Sequence, residues 1–191
     1  MFDSKVICSM PKLDGDFKNQ IKSLSKAELE YIVMRFASKH KEMHDFLTVN
    51  YFDKQSGEED LFIQTRNDVE LLFKKSYKGF SPQLQLANMI GACVKRINEF
   101  DRLCKNKNLC ADLLMIVLDE IFSYSTNLFG TCFTKFDYKV ALLLKRLITL
   151  VTTRLHPDYK MEYERKISHY LKMLHSTSNH IDFIYAMPEA I

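Results

Sequence analysis

Three spacings in this chain of 191 residues carry side chains able to hold a metal or move a proton. His40 and His44, in His40-Lys-Glu-Met-His44, stand at i and i+4, the separation at which two imidazoles on one helix face share a zinc ion. The zincin arrangement needs Glu directly after the first histidine, but Lys41 holds that place and His40 falls at an expected helix break. Asp112 and Asp119, seven apart on an apolar segment, share one helix face. Paired carboxylates there hold a metal or act as acid and base; the plainer outcome is a solvent strip or a basic partner from a neighbouring helix. The carboxylate-bridged di-iron signature Glu-x-x-His does not occur, since Arg165 follows Glu162 and Ile167 follows Glu164 at that distance. No catalytic residue and no metal ligand is assigned, and no cofactor is expected.

The third spacing is a row of cations. On a wheel of about 100° per residue, Lys135, Lys139, Arg146 and Arg154 fall within an arc of roughly 100°. The apolar stripe Val140, Leu144, Leu147, Ile148, Val151 and Leu155 is centred about 120° away. These four residues are the candidate binding face, able to receive a phosphate backbone or an acidic protein. No aromatic residue is interleaved for base stacking, and a solvated helix face explains the row equally well.

Nucleophilic chemistry finds little support and most nucleotide-loop enzymes are excluded, because glycine is scarce. There are 5 Gly and 4 Pro, against about 12% for the two together in average usage. No two glycines lie closer than Gly79 and Gly91, so GxSxG, GxGxxG and the Walker loop are absent. Cys93 and Cys104 lie on an apolar stripe and read as core packing. Five cysteines without CxxC spacing imply reduced thiols and hence the cytoplasm. The longest central apolar run, Leu113–Leu118, is far short of the roughly 20 residues of a membrane span, and Val6-Ile7-Cys8 is too short for a signal sequence. Net charge is +3 and evenly shared, with 13 basic and 11 acidic side chains in residues 96–191, unlike a dedicated nucleic-acid binder.

The elements that position these residues are helices. Ser25-Lys-Ala-Glu28 is a capping box, followed at helical spacing by Leu29, Ile32, Val33 and Phe36. A break at Ser38–Lys41 leads to a helix carrying Met43, Phe46, Leu47 and Tyr51. The turn Lys54-Gln-Ser-Gly57 precedes a helix running to about Tyr77. In Gly79-Phe80-Ser81-Pro82, Ser81 reads as N-cap and Pro82 as the first helical residue. Leu86, Ile90, Cys93, Val94 and Ile97 line the next helix. A helix from Leu109 to about Leu128, apolar nearly all round between Leu109 and Phe122, belongs at the centre of a bundle. Phe129-Gly130-Thr131 breaks it, a helix from about Thr134 to Leu155 follows, and Pro157 opens the last long helix.

At that junction His156-Pro157-Asp158 repeats the tripeptide that marks the J-domain co-chaperones, after a basic helix as it stands there. The loop that follows the tripeptide in J-domains is missing, and so is the upstream Tyr-x-x-Leu-Gly element. A helix junction with Pro157 at the first position and Asp158 at the positive helix end is the simpler reading. A second likeness lies in Leu24-Ser-Lys-Ala-Glu-Leu29 continuing to Lys41-Glu-Met-His-Asp-Phe-Leu47. Over about residues 20–53 it resembles the opening helical hairpin of uncharacterised bacterial all-helical families. That resemblance implies an α-hairpin seeding a helical stack, and carries over no functional residue.

The expected architecture is all-α, a bundle or α-hairpin stack of seven or eight helices without a sheet. It forms one helical domain over 1–191, with possible sub-lobes 14–78 and 81–176 and an apolar tail at 180–191. The expected function is a helical scaffold or adaptor acting through protein–protein contacts; the apolar tail is expected first to dock on its own bundle, with partner binding or self-association through it as the alternative. The alternatives are a metal- or acid/base-dependent enzyme in a helical bundle, or a nucleic-acid-associated protein using the basic face. An enzyme is the less favoured reading, nucleic acid is an unfavoured partner, and no membrane association is expected.

Overall fold

Five of the described helices begin where the sequence supplies a side-chain acceptor for a first-turn amide. The computed structural model describes residues 13–53, 56–124, 126–178 and 181–191. Asp14 accepts from the Phe17 amide at 2.7 Å and starts α1 (Gly15–Ser23). In the capping box that starts α2 (Lys26–Lys39), the Glu28 amide donates to Ser25 Oγ at 3.3 Å and the Ser25 amide to Glu28 Oε2 at 2.8 Å. His40, with extended backbone at φ −125°, ends that helix, and α3 (Lys41–Leu47) runs into a π-helical turn, Thr48–Phe52. Then come α4 (Gly57–Phe73), α5 (Pro82–Leu103), α6 (Lys107–Ser123), a 3₁₀ turn at Thr126–Leu128, α7 (Thr134–Arg154), α8 (Pro157–Thr177) and the short α9 (Asp182–Tyr185). Among the described residues there are nine helices and no strand, so the all-α class holds.

Two boundaries differ from expectation for local reasons. The helix expected to reach Tyr77 stops at Phe73, where the Tyr77 hydroxyl turns back and donates to the Leu72 carbonyl at 2.9 Å. The helix expected to reach Leu128 stops at Ser123, with Tyr124 extended. Of the expected turn at 54–57, Lys54 and Gln55 lie outside the described residues.

Packing divides the chain into two units, 1–44 and 45–191. The Gly79–Pro82 junction, offered above as a lobe boundary, lies inside the larger unit because α4 packs along α5. Arg96 of α5, mostly buried, donates to Asp68 of α4 at 2.7 Å, and Phe62 meets Phe100 edge-on. In 45–191, α7 is the hub and packs against α5, α6, α8 and α9. Phe136, Leu144 and Leu147 of α7, Leu113, Leu118 and Ile121 of α6, and Ile167 and Leu171 of α8 are fully buried. Each such side chain contributes about 1.5–3 kcal/mol through burial. In 1–44 the described residues include none that is buried.

The apolar tail packs on its own bundle. Ile184 and Met187 join the core, the Ile191 amide meets Ser168 Oγ at 3.3 Å, and Tyr138 stands edge-on to Phe183. This is the docking on its own bundle expected first for the tail: α7 and α8 cover its most apolar positions. Among the described residues no helix is long and apolar enough to cross a membrane.

Candidate functional site

The basic row on α7 divides in two. Lys135 and Arg154 are exposed. Lys139 instead crosses to α5, where its ammonium donates to the Ala87 carbonyl at 2.5 Å. A Cβ added to Gly91 would stand 3.0 Å from that ammonium, so the one glycine inside a long helix makes room for the lysine. Burial, followed by the charge of Lys135, lowers the Lys139 pKa. Arg146 also turns to α5, donating to Asn98 Oδ1 at 2.6 Å and to Asp101 Oδ2 at 3.2 Å. Lys107 takes the other Asp101 oxygen at 2.6 Å. Burial works to raise the Asp101 pKa, but the Lys107 and Arg146 cations outweigh it and hold the carboxyl below its usual range. Half of the row is therefore a seam between α5 and α7. A shallow groove of about 380 Å³ beside it is lined by Leu142, Lys145, Arg146, Thr149, Leu150 and Arg154.

Asp112 and Asp119 are received by a matching heptad on α8. Tyr163 donates to Asp112 at 2.5 Å and Tyr170 donates to Asp119, whose other oxygen takes Lys166 at 2.7 Å. Seven residues of helix separate the carboxylates by about 10 Å, too far to share one ion. Burial first, and then the carboxylate each phenol serves, raises both tyrosine pKa values, so the phenols stay protonated at neutral pH. Tyr170 stacks on Phe122 at 4.1 Å, which continues through Phe129 to Phe136. This face is a fastening of α8 to α6. Among the described residues no three of His, Cys, Asp and Glu are placed to hold a metal.

One buried carboxylate escaped the sequence reading. Asp137 of α7 is fully buried, and its Oδ2 accepts from the Gly130 amide at 2.8 Å and from Ser178 Oγ at 2.7 Å. Its Oδ1 has no hydrogen-bond partner. Gly130 adopts φ +67°, and a Cβ there would lie 2.1 Å from the Thr177 carbonyl oxygen. The loop before α7 and the end of α8 thus converge on one side chain. The signal was available: Asp137 precedes Val140, Ala141 and Leu144 by three, four and seven residues, placing an acid on the apolar stripe.

The remaining motifs settle into local roles. The His40 ring stacks on Phe36 at 5.7 Å, and its extended backbone takes it out of the helical register of His44. His156 is an exposed N-cap whose Nδ1 accepts from the Asp158 amide at 3.4 Å, with Pro157 in the first turn. Burial, the leading cause in each case, pushes the Cys93 and Cys104 thiols up to about 12 and Cys110 up to about 11, which keeps all three protonated and unreactive. Cys132 is exposed, and Cys8 lies outside the described residues.

The feature left over is apolar surface. Leu13, Phe17 and Ile21 on α1 and its approach, and Tyr31, Ile32, Val33, Met34 and Phe36 on α2, are all exposed, with Tyr31, Met34 and Phe36 more than half open at 59%, 65% and 54%. Leu29, Ile32, Val33 and Phe36 form a stripe about 100° wide. Tyr31 and Met34 lie on the opposite side, so α2 is apolar on two faces. Comparison with protein-family models, with curated proteins and with solved structures finds no match for this chain.

Proposed function

We propose that the protein is a cytoplasmic helical scaffold or adaptor acting through protein–protein contacts, with residues 13–44 making the contact and 45–191 carrying them. The supporting observation is that 13–44 contain eight exposed large apolar side chains and no buried residue. Helices of 9 and 14 residues are marginal in water on their own, so α1 and α2 need a surface to pack against. Covering eight half-open apolar side chains recovers roughly 1 kcal/mol each. Large apolar side chains left open in this number mark an interaction site. The enzyme reading loses support because Asp112 and Asp119 are committed to Tyr163 and Tyr170. The nucleic-acid reading loses support because Lys139 and Arg146 are bonded to α5.

Serine at both Ile32 and Phe36 tests the proposal. The expected result is an unchanged urea unfolding curve for the bundle, within about 0.5 kcal/mol, with binding of an apolar-surface dye cut by at least half. A variant that destabilises the bundle, or that binds as much dye as the parent, contradicts it.

A further inference from the structure

Resting on that contact surface, we infer that its partner is a second copy of this chain, bound through α2 in antiparallel orientation. The charges flanking the α2 stripe carry the argument. Glu28, Arg35 and Lys39 lie along one edge of the stripe, within an arc of about 40°. The acid stands toward the N-terminal end of this edge and the two cations toward the C-terminal end. A two-fold axis perpendicular to two antiparallel helices sets the same edge of each against the other with its order reversed. Glu28 of each copy then meets Arg35 and Lys39 of the other, twice over by symmetry. The helix dipoles also oppose favourably in this arrangement.

A parallel pair lacks the match, because it sets this edge against the opposite one. There Lys26 and Glu30 already pair with each other at 3.6 Å within the helix. Between the charged edges, Leu29, Ile32, Val33 and Phe36 form the apolar seam of the pair. Apolar area supplies the attraction, and the edge charges choose the partner and its direction.

Sedimentation of the full chain over a range of concentrations tests the pairing, with Glu28→Lys, Arg35→Glu and the double variant alongside. A concentration-dependent dimer is expected. Each single reversal sets like charges together at two places and weakens dimerisation about tenfold. The double variant returns it to near the parent value. Because the double variant still lacks the Glu28 half of the capping box, its recovery cannot come from the helix end. A dimer in which the double variant is as weak as the two single losses combined overturns the antiparallel assignment. A parent chain that stays monomeric overturns the pairing itself. If the α2 amides of that monomer exchange freely and the dye still binds, the contact-surface reading survives with another partner. If they are protected and the dye is excluded, both readings fall.

Discussion

Gly130→Ala lowers the stability of the bundle by about 3 kcal/mol or more, bringing the melting temperature down by on the order of 10 °C. Two costs add at this position. The first is conformational: φ +67° is open to glycine and strained for alanine. The second is steric and larger, because the new methyl would sit 2.1 Å from the Thr177 carbonyl oxygen, which belongs to backbone at the end of α8. Relief requires the loop or the helix end to move, and either movement stretches the bonds that Gly130 and Ser178 make to Asp137. Urea unfolding measures the loss. A change below 1 kcal/mol would mean that the loop before α7 does not hold this conformation.

Asp137→Ala costs about 2–4 kcal/mol by the same measurement. Its carboxylate takes the Gly130 amide and the hydroxyl of the fully buried Ser178, and removing it leaves both donors without their acceptor, the Ser178 hydroxyl out of reach of water. The unpartnered Oδ1 already carries a burial cost in the parent protein, which reduces the loss. Asp137→Asn costs less than alanine, because one amide oxygen can accept from both donors. Alanine at 130 and at 137 together cost less than the sum of the single changes, since both act on the Gly130–Asp137 hydrogen bond. An alanine variant at 137 as stable as the parent would show that the converging loop and helix end are held by packing alone.

The elements that depend on neighbouring residues were legible in the sequence. Ser25 and Glu28 lie three apart, as do Ser81 and Leu84, and their caps form as the spacing requires. The long apolar run of α6 goes to the middle of the bundle because no face of it suits water. α1 was missed because its signal is a lone Asp14 before sparse apolar residues. The fates of Lys139 and Arg146 were not legible for a different reason. A wheel places a cation on a face of α7, but whether that face meets water or α5 depends on residues about 50 positions earlier, Ala87 and Asn98. Asp137 is the same case, since its partner Ser178 stands 41 residues away. The reason for Gly91 inside α5, the Lys139 ammonium, was out of reach for the same cause, since it comes from another helix. The docking of the apolar tail on α7 and α8 was legible from its composition, whereas the openness of Tyr31, Met34 and Phe36 was not, because a helical stripe alone does not say whether a neighbour covers it.

Hydroxyl-radical footprinting of the full chain, free and associated, bears most directly on residues 13–44 as the contact-making part. Ile32 and Phe36, on the α2 stripe, should label in the free protein and lose most of that labelling on association, while Tyr31 and Met34 on the opposite side keep more of theirs. Met161 and Tyr185, at 74% and 64% exposure on the bundle, serve as references and should label equally in both states. Protection of Tyr31, Met34 and Phe36 already in the free monomer would contradict the account. So would association that shields Met161 or Tyr185 and leaves α2 open.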